Sequence, residues 1–296
     1  MSDSNTSLEK EIRIRDERIE AMTKTIEDMK QAFIRQSDTL EKKTRDFEAS
    51  LSYALRIQRA ILPPDYYIQE VLPQSFIFYR PRDIVSGDFY FVAEEEGSVF
   101  FAAVDCTGHG VPGALMSVIG YNWLIQALRE AENQDLIEIM KILDCGVSDT
   151  LRQTAGESDV KDSMELSICK FNPKTSEVEM SGSRRPYVIV KSGELMKEKT
   201  DNFYIGVNED GVADEFTSHK YQLSKGDMIY LFSDGYPDQF GGDDFKKFMT
   251  GRLVRLLYSI YDKPLEEQHQ IVADQFDLWM GDHHQTDDVL LIGVRV

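Results

Sequence analysis

The sequence has 296 residues, of which 42% are hydrophobic, and its formal net charge is -19. This length accommodates one large domain or two ordinary ones. The acidic charge argues against binding of nucleic acid or an anionic membrane through bulk electrostatics, and it is compatible with cations. Three scattered cysteines are too few for a disulfide framework or a zinc site. No apolar run approaches the roughly 20 residues of a membrane span. The N-terminus is polar and does not resemble a secretory signal peptide. We therefore expect a cytoplasmic protein without a membrane span.

The first fifty residues are highly charged, lack Gly and Pro, and are rich in helix formers. An apolar residue recurs there at a strict interval of seven, namely Ile12, Ile19, Ile26, Phe33, Leu40 and Phe47. A seven-residue period is typical of left-handed supercoiling against a partner helix. The alternative is one long amphipathic helix lying on its own domain, but no comparable helix elsewhere offers a partner. We predict a coiled coil over residues 1–50 that pairs two chains in parallel as a homodimer.

The apolar face broadens over residues 51–64, and Pro63 and Pro64 end the helix because proline cannot continue it. This pattern predicts a linker helix that leaves the coiled coil, docks onto a globular domain over residues 65–296, and regulates it.

Strand-like and helix-like segments of that domain come in blocks rather than in strict alternation. Aromatic and β-branched runs predict strands over 75–81, 88–94, 99–105, 164–171, 177–182, 186–193, 219–227, 228–234 and 289–296. Apolar periodicity predicts helices over 114–131, 135–154, 241–261 and 264–281. Block order favours an α+β fold with antiparallel sheets over a doubly wound parallel sheet.

Four apolar strands carry Asp at an end: Asp88, Asp105, Asp234 and the pair Asp287–Asp288. Each Asp alone is ordinary turn chemistry. If the fold brings them together, carboxylates about 4 Å apart repel by roughly 4 kcal/mol at an effective dielectric constant of about 20. Either their pKa values rise or cations lie among them, and ligation by carboxylates suits Mg²⁺ or Mn²⁺. The pattern predicts a hydrolytic centre with one or two divalent metal ions.

Four motifs in this order, VSGDFYF, AVDCTGHGVPGALMS, LFSDGYPDQFGG and QTDDVLLIGV, resemble those of the PPM (type 2C) metal-dependent serine/threonine phosphatases. The resemblance covers roughly residues 52–296 and is strongest to the bacterial sporulation-phosphatase and sigma-regulator branch. It implies an αββα sandwich, in which two antiparallel sheets lie between helical layers. It also implies direct hydrolysis of phosphoserine or phosphothreonine with two Mn²⁺ or Mg²⁺ ions and no phosphoenzyme.

The same resemblance implies roles for individual residues. Asp105 would bridge the two ions, and the main-chain carbonyl of Cys106 would bind one of them. Asp88 would ligate an ion through its carboxylate or through bound water. Asp234 and Asp287 would complete the coordination shell of the first ion. Asp287 rather than Asp288 is the implied ligand, because the first member of the family's acidic pair fills that role.

Several roles stay open at the level of sequence. His109 is either a general acid that protonates the leaving seryl oxygen or a residue that caps or packs at the following helix. Asp162, in the segment KDSMELS, either contributes to a third metal site or belongs to a solvated loop. Arg80 and Arg82 lie upstream of Asp88, but the motif does not align them with the family's phosphate-binding arginine.

The branch's usual substrate is a small phosphorylated anti-sigma-factor antagonist in a partner-switching pathway, so the resemblance implies that substrate here. Two alternative functions belong to other classes of protein. A non-catalytic pseudophosphatase scaffold would have lost at least one of the four acidic residues. A coiled-coil-linked nucleotidyl cyclase also pairs aspartates around two metals, but the Gly-His-Gly turn and the last acidic strand fit it poorly.

Overall fold

The computed structural model describes residues 2–153, 161–207 and 213–296, and these divide into two compact units, Met1–Tyr53 and Ala54–Val296. Helix α1 (Ser2–Ile61) ends two residues before Pro63, close to the predicted stop at Pro63 and Pro64. In the first unit, the seven-residue apolar row is on the helix surface, with side chains 52–73% exposed.

The second unit is built from twelve strands and six further helices in the described residues. The strands are β1 (Ser75–Arg80), β2 (Phe89–Glu95), β3 (Ser98–Cys106), β4 (Met164–Asn172), β5 (Glu177–Ser183), β6 (Tyr187–Lys191), β7 (Glu194–Glu198), β8 (His219–Gln222), β9 (Met228–Phe232), β10 (Phe240–Gly241), β11 (Lys246–Lys247) and β12 (Val289–Arg295). The helices are α2 (Asp65–Val71), α3 (Gly110–Glu130), α4 (Leu136–Thr150), α5 (Gly235–Asp238), α6 (Thr250–Ile260) and α7 (Leu265–Met280).

Two five-stranded sheets dominate the unit. One has the order β1-β12-β9-β6-β7 and the other the order β2-β3-β4-β5-β8, and all neighbouring strands within them are antiparallel. One apolar core fills the space between the sheets, a second joins the β2–β8 sheet to α3 and α4, and a third joins the other sheet to α6 and α7. The predicted αββα sandwich is confirmed.

Strand β3 shows how sequence produces the layers. Its side chains alternate between faces, as the pleat of a strand requires. Phe100, Ala102 and Val104 lie in the core beneath α3 and α4, whereas Phe101 and Ala103 lie in the core between the sheets. Because both faces are covered, the strand is a continuous apolar run that ends where Asp105 reaches the edge of the sheet.

The helix predicted over 241–261 begins only at Thr250, and the preceding residues form the short hairpin β10–β11. Trp279, near the end of α7, accounts for the difference. Its carbonyl accepts the N–H of Gly242 at 2.9 Å, and Gly242 has a left-handed φ of 67°. A Cβ atom at Gly241 would lie 1.8 Å from the same carbonyl oxygen. This close approach requires an extended chain instead of a helix. Sequence analysis also missed α2, α5 and β7.

Helix α3 bears on the expectation that no apolar segment is long enough to span a membrane. It is the one helix among the described residues that is long and apolar enough to cross a membrane by length and composition. However, Met116, Leu124 and Leu128 of α3 are buried in the core that also contains residues of β2, β3 and α4. Its apolar character is therefore explained by its place as a core helix.

Candidate metal centre and active site

The predicted acidic strand ends meet at one edge of the two sheets. Asp105, Asp234 and Asp287 line a single cleft of about 170 Å³, together with Cys106 and His109. Asp105 comes from the β2–β8 sheet, whereas Asp234 follows β9 and Asp287 precedes β12 in the other sheet. Asp88, directly before β2, is buried with 3% of its surface exposed. The cleft therefore draws its carboxylates from both sheets.

Glycines allow the loops of the site to approach one another. A Cβ atom at Gly87 would lie 2.5 Å from the carbonyl oxygen of Gly108, and one at Gly113 would lie 2.4 Å from the same atom. These contacts pack the turn before Asp88 against the loop after Asp105. Gly108 itself has a φ of 84°, which favours glycine.

Asp88 is a buried carboxylate and Asp105 a half-buried one, and both require compensation. Burial is the main cause of the raised pKa of Asp88, and the charge of Asp105 adds to it. Burial likewise raises the pKa of Asp105, while Arg185 acts in the opposite direction. The Oδ2 atom of Asp88 has no hydrogen-bond partner. An unpartnered buried oxygen among carboxylates is a fitting ligand for a hard divalent ion.

Asp287 and Asp288 have different surroundings. Asp288 is buried, and its two oxygens accept the main-chain N–H groups of Arg82 at 2.7 Å and Gly87 at 2.8 Å. Its carboxylate therefore holds the turn that leads to Asp88. Asp287 lines the cleft, accepts the N–H of Asp288 at 2.9 Å, and has a pKa raised chiefly by burial.

His109 lies at the N-terminal boundary of α3, but its side chain makes no capping hydrogen bond. Its Nδ1 atom instead lies 2.8 Å from Oδ2 of Asp83, and about half of the imidazole is exposed at the cleft. The capping alternative is therefore wrong for this side chain. Sequence analysis did not identify Asp83, because nothing in its spacing links it to a histidine 26 positions later.

Comparison with known proteins adds to this geometry. Residues 95–296 match the family described as Stage II sporulation protein E (SpoIIE). This chain belongs to the SpoIIE family. Phosphoserine phosphatase RsbU of Bacillus subtilis (strain 168) is 25% identical over 259 residues, which cover 81% of this chain and 72% of RsbU.

Two solved structures show the same fold as this SpoIIE-family chain. The SiaA-PP2C domain of Pseudomonas aeruginosa is 28% identical with a TM-score of 0.77, and the match covers 86% of this chain and 98% of that one. The PP2C phosphatase domain with a fragment of the regulatory domain of SpoIIE from Bacillus subtilis is 19% identical with a TM-score of 0.59, over 75% and 63% of the two chains. The chain is thus a metal-dependent serine/threonine phosphatase of the PP2C type. The nucleotidyl cyclase alternative is wrong.

Arg185 is a cleft residue of this SpoIIE-family site that sequence analysis missed. Its Nη2 atom lies 2.8 Å from Asp105, 2.8 Å from Asp234 and 2.7 Å from Glu165. Glu165 stands opposite Asp105 in the β3–β4 register. Only the basic pair in SGSRRP marks the position in the sequence, and a basic pair is usually solvated.

Within residues 2–153, 161–207 and 213–296, no three His, Cys, Asp or Glu side chains already form a ligand set for an ion. The guanidinium of Arg185 contacts two of the expected ligands, Asp105 and Asp234. The donor chemistry fits hard divalent ions, since the cleft offers several carboxylates and the buried Asp88 has an oxygen without a hydrogen-bond partner.

Asp162, Arg80 and Arg82 are not among the residues that line the cleft, whereas Cys106 is. The main-chain oxygen of Asp162 accepts a hydrogen bond from Gln153 at 2.6 Å. Arg80 pairs with Asp277, and Arg82 donates to the carbonyl of Thr286 at 3.1 Å. The thiol of Cys106 is buried and its pKa is raised, mainly by burial, so it is unsuited to act as a thiolate nucleophile.

Proposed function

We propose that this phosphatase hydrolyses phosphoserine or phosphothreonine on a small phosphoprotein of the anti-sigma-factor antagonist class, in the cytoplasm. The observation that carries the proposal is that Asp105, Asp234 and Asp287 line one cleft, while the buried Asp88 lies close enough to Asp105 for their charges to interact. The phosphoserine activity named for RsbU and the branch-specific motifs support the substrate class. A pseudophosphatase scaffold finds no support in these comparisons.

The carboxylates of Asp88, Asp105, Asp234 and Asp287 and the main-chain carbonyl of Cys106 would hold two Mn²⁺ or Mg²⁺ ions. When bound, such ions supply positive charge for the phosphoryl oxygens and lower the pKa of a water molecule. Asp288 supports this ligand set by holding the main chain at Gly87, one residue before Asp88. This is a positioning role for a carboxylate that faces main-chain N–H groups rather than the cleft.

His109 would protonate the leaving seryl oxygen. Its hydrogen bond to Asp83 through Nδ1 orients the ring, which leaves Nε2 as the atom that can donate to the substrate. The ring lines the same cleft as Asp287. The proposed acid therefore stands beside the proposed ion site.

Regulation would reach the site through α1. Its apolar row supports pairing of two chains through residues 1–50. Near the end of the helix, Gln58 is buried and bonds to both main-chain groups of Ser86, two residues before Asp88. A change in the register or packing of the helix would thus act on the turn that carries a proposed ligand, and so on ion occupancy.

Release of phosphate from a phosphoserine peptide, measured with and without Mn²⁺, tests this function. The full-length protein should release phosphate only with the ion, and Asp105→Ala should lose this activity while keeping its circular dichroism spectrum. Equal release by the folded variant would contradict the proposed mechanism. Phosphorylated anti-sigma-factor antagonist as substrate should be turned over with a higher kcat/KM than the peptide.

A further inference from the structure

Arg185 is the one guanidinium in the described residues that contacts Asp105 and Asp234. It lies between β5 and β6, and 15% of its side chain is exposed. The preceding residue, Arg184, has a left-handed φ of 57°, so the chain turns sharply there. This turn sends two adjacent arginines in different directions.

Arg184 occupies the outer position. Its guanidinium carbon lies 4.2 Å from the centre of the Tyr204 ring, and its Nε donates to Oε1 of Glu165 at 2.9 Å. The side chain is 31% exposed. Glu165 therefore binds both arginines, but only Arg185 continues inward to the carboxylates that we assign to the ions.

The inner contacts of Arg185 are unevenly distributed over its guanidinium. Asp105, Asp234 and Glu165 all approach the same Nη2 atom, which carries only two hydrogens. Of these three contacts, the one to Asp234 is a hydrogen bond of 2.8 Å, and those to Asp105 and Glu165 are ion pairs. The Nε atom, by contrast, is buried without a partner. The guanidinium thus contacts Asp105, Asp234 and Glu165 through a single nitrogen atom.

We propose that Arg185 and the divalent ions compete for the same oxygens of Asp105 and Asp234. Binding of an ion requires Arg185 to release at least one of these carboxylates, and Glu165 retains the guanidinium beside the site. Arg185 consequently lowers the affinity for ions below the value that the carboxylates alone would provide. This inference rests on the ion site of the proposed function.

The matched pair Arg185→Gln and Arg184→Gln tests the competition. Both variants remove one positive charge and one partner of Glu165, but only the first frees Asp105 and Asp234. Mn²⁺ binding is measured on the full chain by the electron paramagnetic resonance signal of free Mn²⁺, without substrate. We expect Arg185→Gln to lower the Kd for Mn²⁺ by at least about tenfold, because a cation a few ångströms from the ion is removed. The Kd of Arg184→Gln should stay within about twofold of wild type, since a more exposed charge is screened.

Thermal unfolding provides a second measurement if Arg185→Gln is destabilised. Without ions, this variant leaves two carboxylates without their guanidinium, so its Tm should fall. Saturating Mn²⁺ should then raise its Tm by more than it raises the Tm of wild type, because tighter binding to the folded state gives greater stabilisation. Arg184→Gln should show the wild-type increase.

An unchanged or higher Kd in folded Arg185→Gln would overturn the competition, and so would an equal tightening in Arg184→Gln. Failure of the underlying ion site would look different. In that case wild type itself would not bind Mn²⁺, or Asp105→Asn would bind it as tightly as wild type does. The two failures are therefore distinguished within one set of titrations.

Discussion

The side-chain amide of Gln58 pairs with both main-chain groups of Ser86. Its Nε2 donates to the carbonyl at 2.6 Å, and its Oε1 accepts the N–H at 3.2 Å. The same Nε2 lies 2.8 Å from Oγ of Ser117 on α3. One buried amide thus joins the last turns of α1, the turn that precedes Asp88, and the first core helix of the sandwich.

Gln58→Leu should cost about 1–3 kcal/mol in the free energy of unfolding, because it leaves buried main-chain groups of Ser86 without partners. It should also raise the Mn²⁺ concentration needed for half-maximal activity, since the turn before Asp88 loses its support. Urea unfolding and a Mn²⁺ titration of phosphate release check the two effects. Gln126→Leu is the control, because Gln126 is exposed and its side chain donates to Glu130 on the surface of the same helix. A loss of stability without a change in the Mn²⁺ requirement would contradict the second effect. It would show that the contact between Gln58 and Ser86 does not influence the ion site.

Asp88→Asn should abolish or strongly reduce Mn²⁺-dependent activity while leaving the Tm in EDTA unchanged or higher. Burial raises the pKa of Asp88, so its ionised form costs stability at neutral pH, and a neutral amide of similar shape removes that cost. Asp227→Asn is the matched control with the same change in charge. The carboxylate of Asp227 accepts main-chain N–H groups from Ser192 at 2.7 Å and Ser224 at 2.8 Å, so its loss should lower the Tm. A fall in Tm for Asp88→Asn equal to that of the control would contradict the stability prediction.

His109→Gln should reduce kcat for a phosphoserine peptide by about 10²-fold, the usual size of a general-acid contribution. The effect on p-nitrophenyl phosphate should be small, because nitrophenolate leaves without protonation. Asp83→Asn should show the same dependence on leaving group with a smaller amplitude, since it removes the partner that orients the ring. Equal losses on both substrates would indicate that His109 shapes the site and does not supply a proton.

Ile26→Lys should convert the proposed dimer to a monomer, because it places a charge within the seven-residue apolar row of α1. Ile34 is also exposed on this helix but lies outside the row, so Ile34→Lys should leave the dimer intact. Light scattering after size-exclusion chromatography measures the molar mass of each variant. A monomeric wild type, or a dimer that survives Ile26→Lys, would contradict the parallel coiled coil.

Local patterns in the sequence predict most of the fold. Alternating or continuous apolar runs mark the strands of both sheets, and Pro63 and Pro64 mark the end of α1, because these signals arise from neighbouring residues. The predicted helix over 241–261 was wrong in its first half. Its apolar and charged residues suit a helix, but the contact of Gly241 with Trp279 forms only after α7 has packed.

The residues of the candidate site also fall into two groups, those that the sequence predicts and those that only the structure reveals. Four Asp residues at strand ends, beside glycine turns, could be recognised from the sequence, and the cleft draws on them from both sheets. Arg185, Asp83 and Gln58 could not, because each acts on a residue from 26 to 80 positions away, with no spacing rule that relates the two.

The sequence by itself determined the layers of the sandwich, the acidic strand ends and the seven-residue row on α1, since each follows from local periodicity or from the chemistry of single residues. Only the tertiary structure decided which carboxylates share a cleft, that Asp288 faces main-chain N–H groups while Asp287 faces the cleft, and that Arg185 stands between Asp105 and Asp234. These relationships join strands from two different sheets, and they exist because the packing of the sheets brings their edges to within hydrogen-bonding distance.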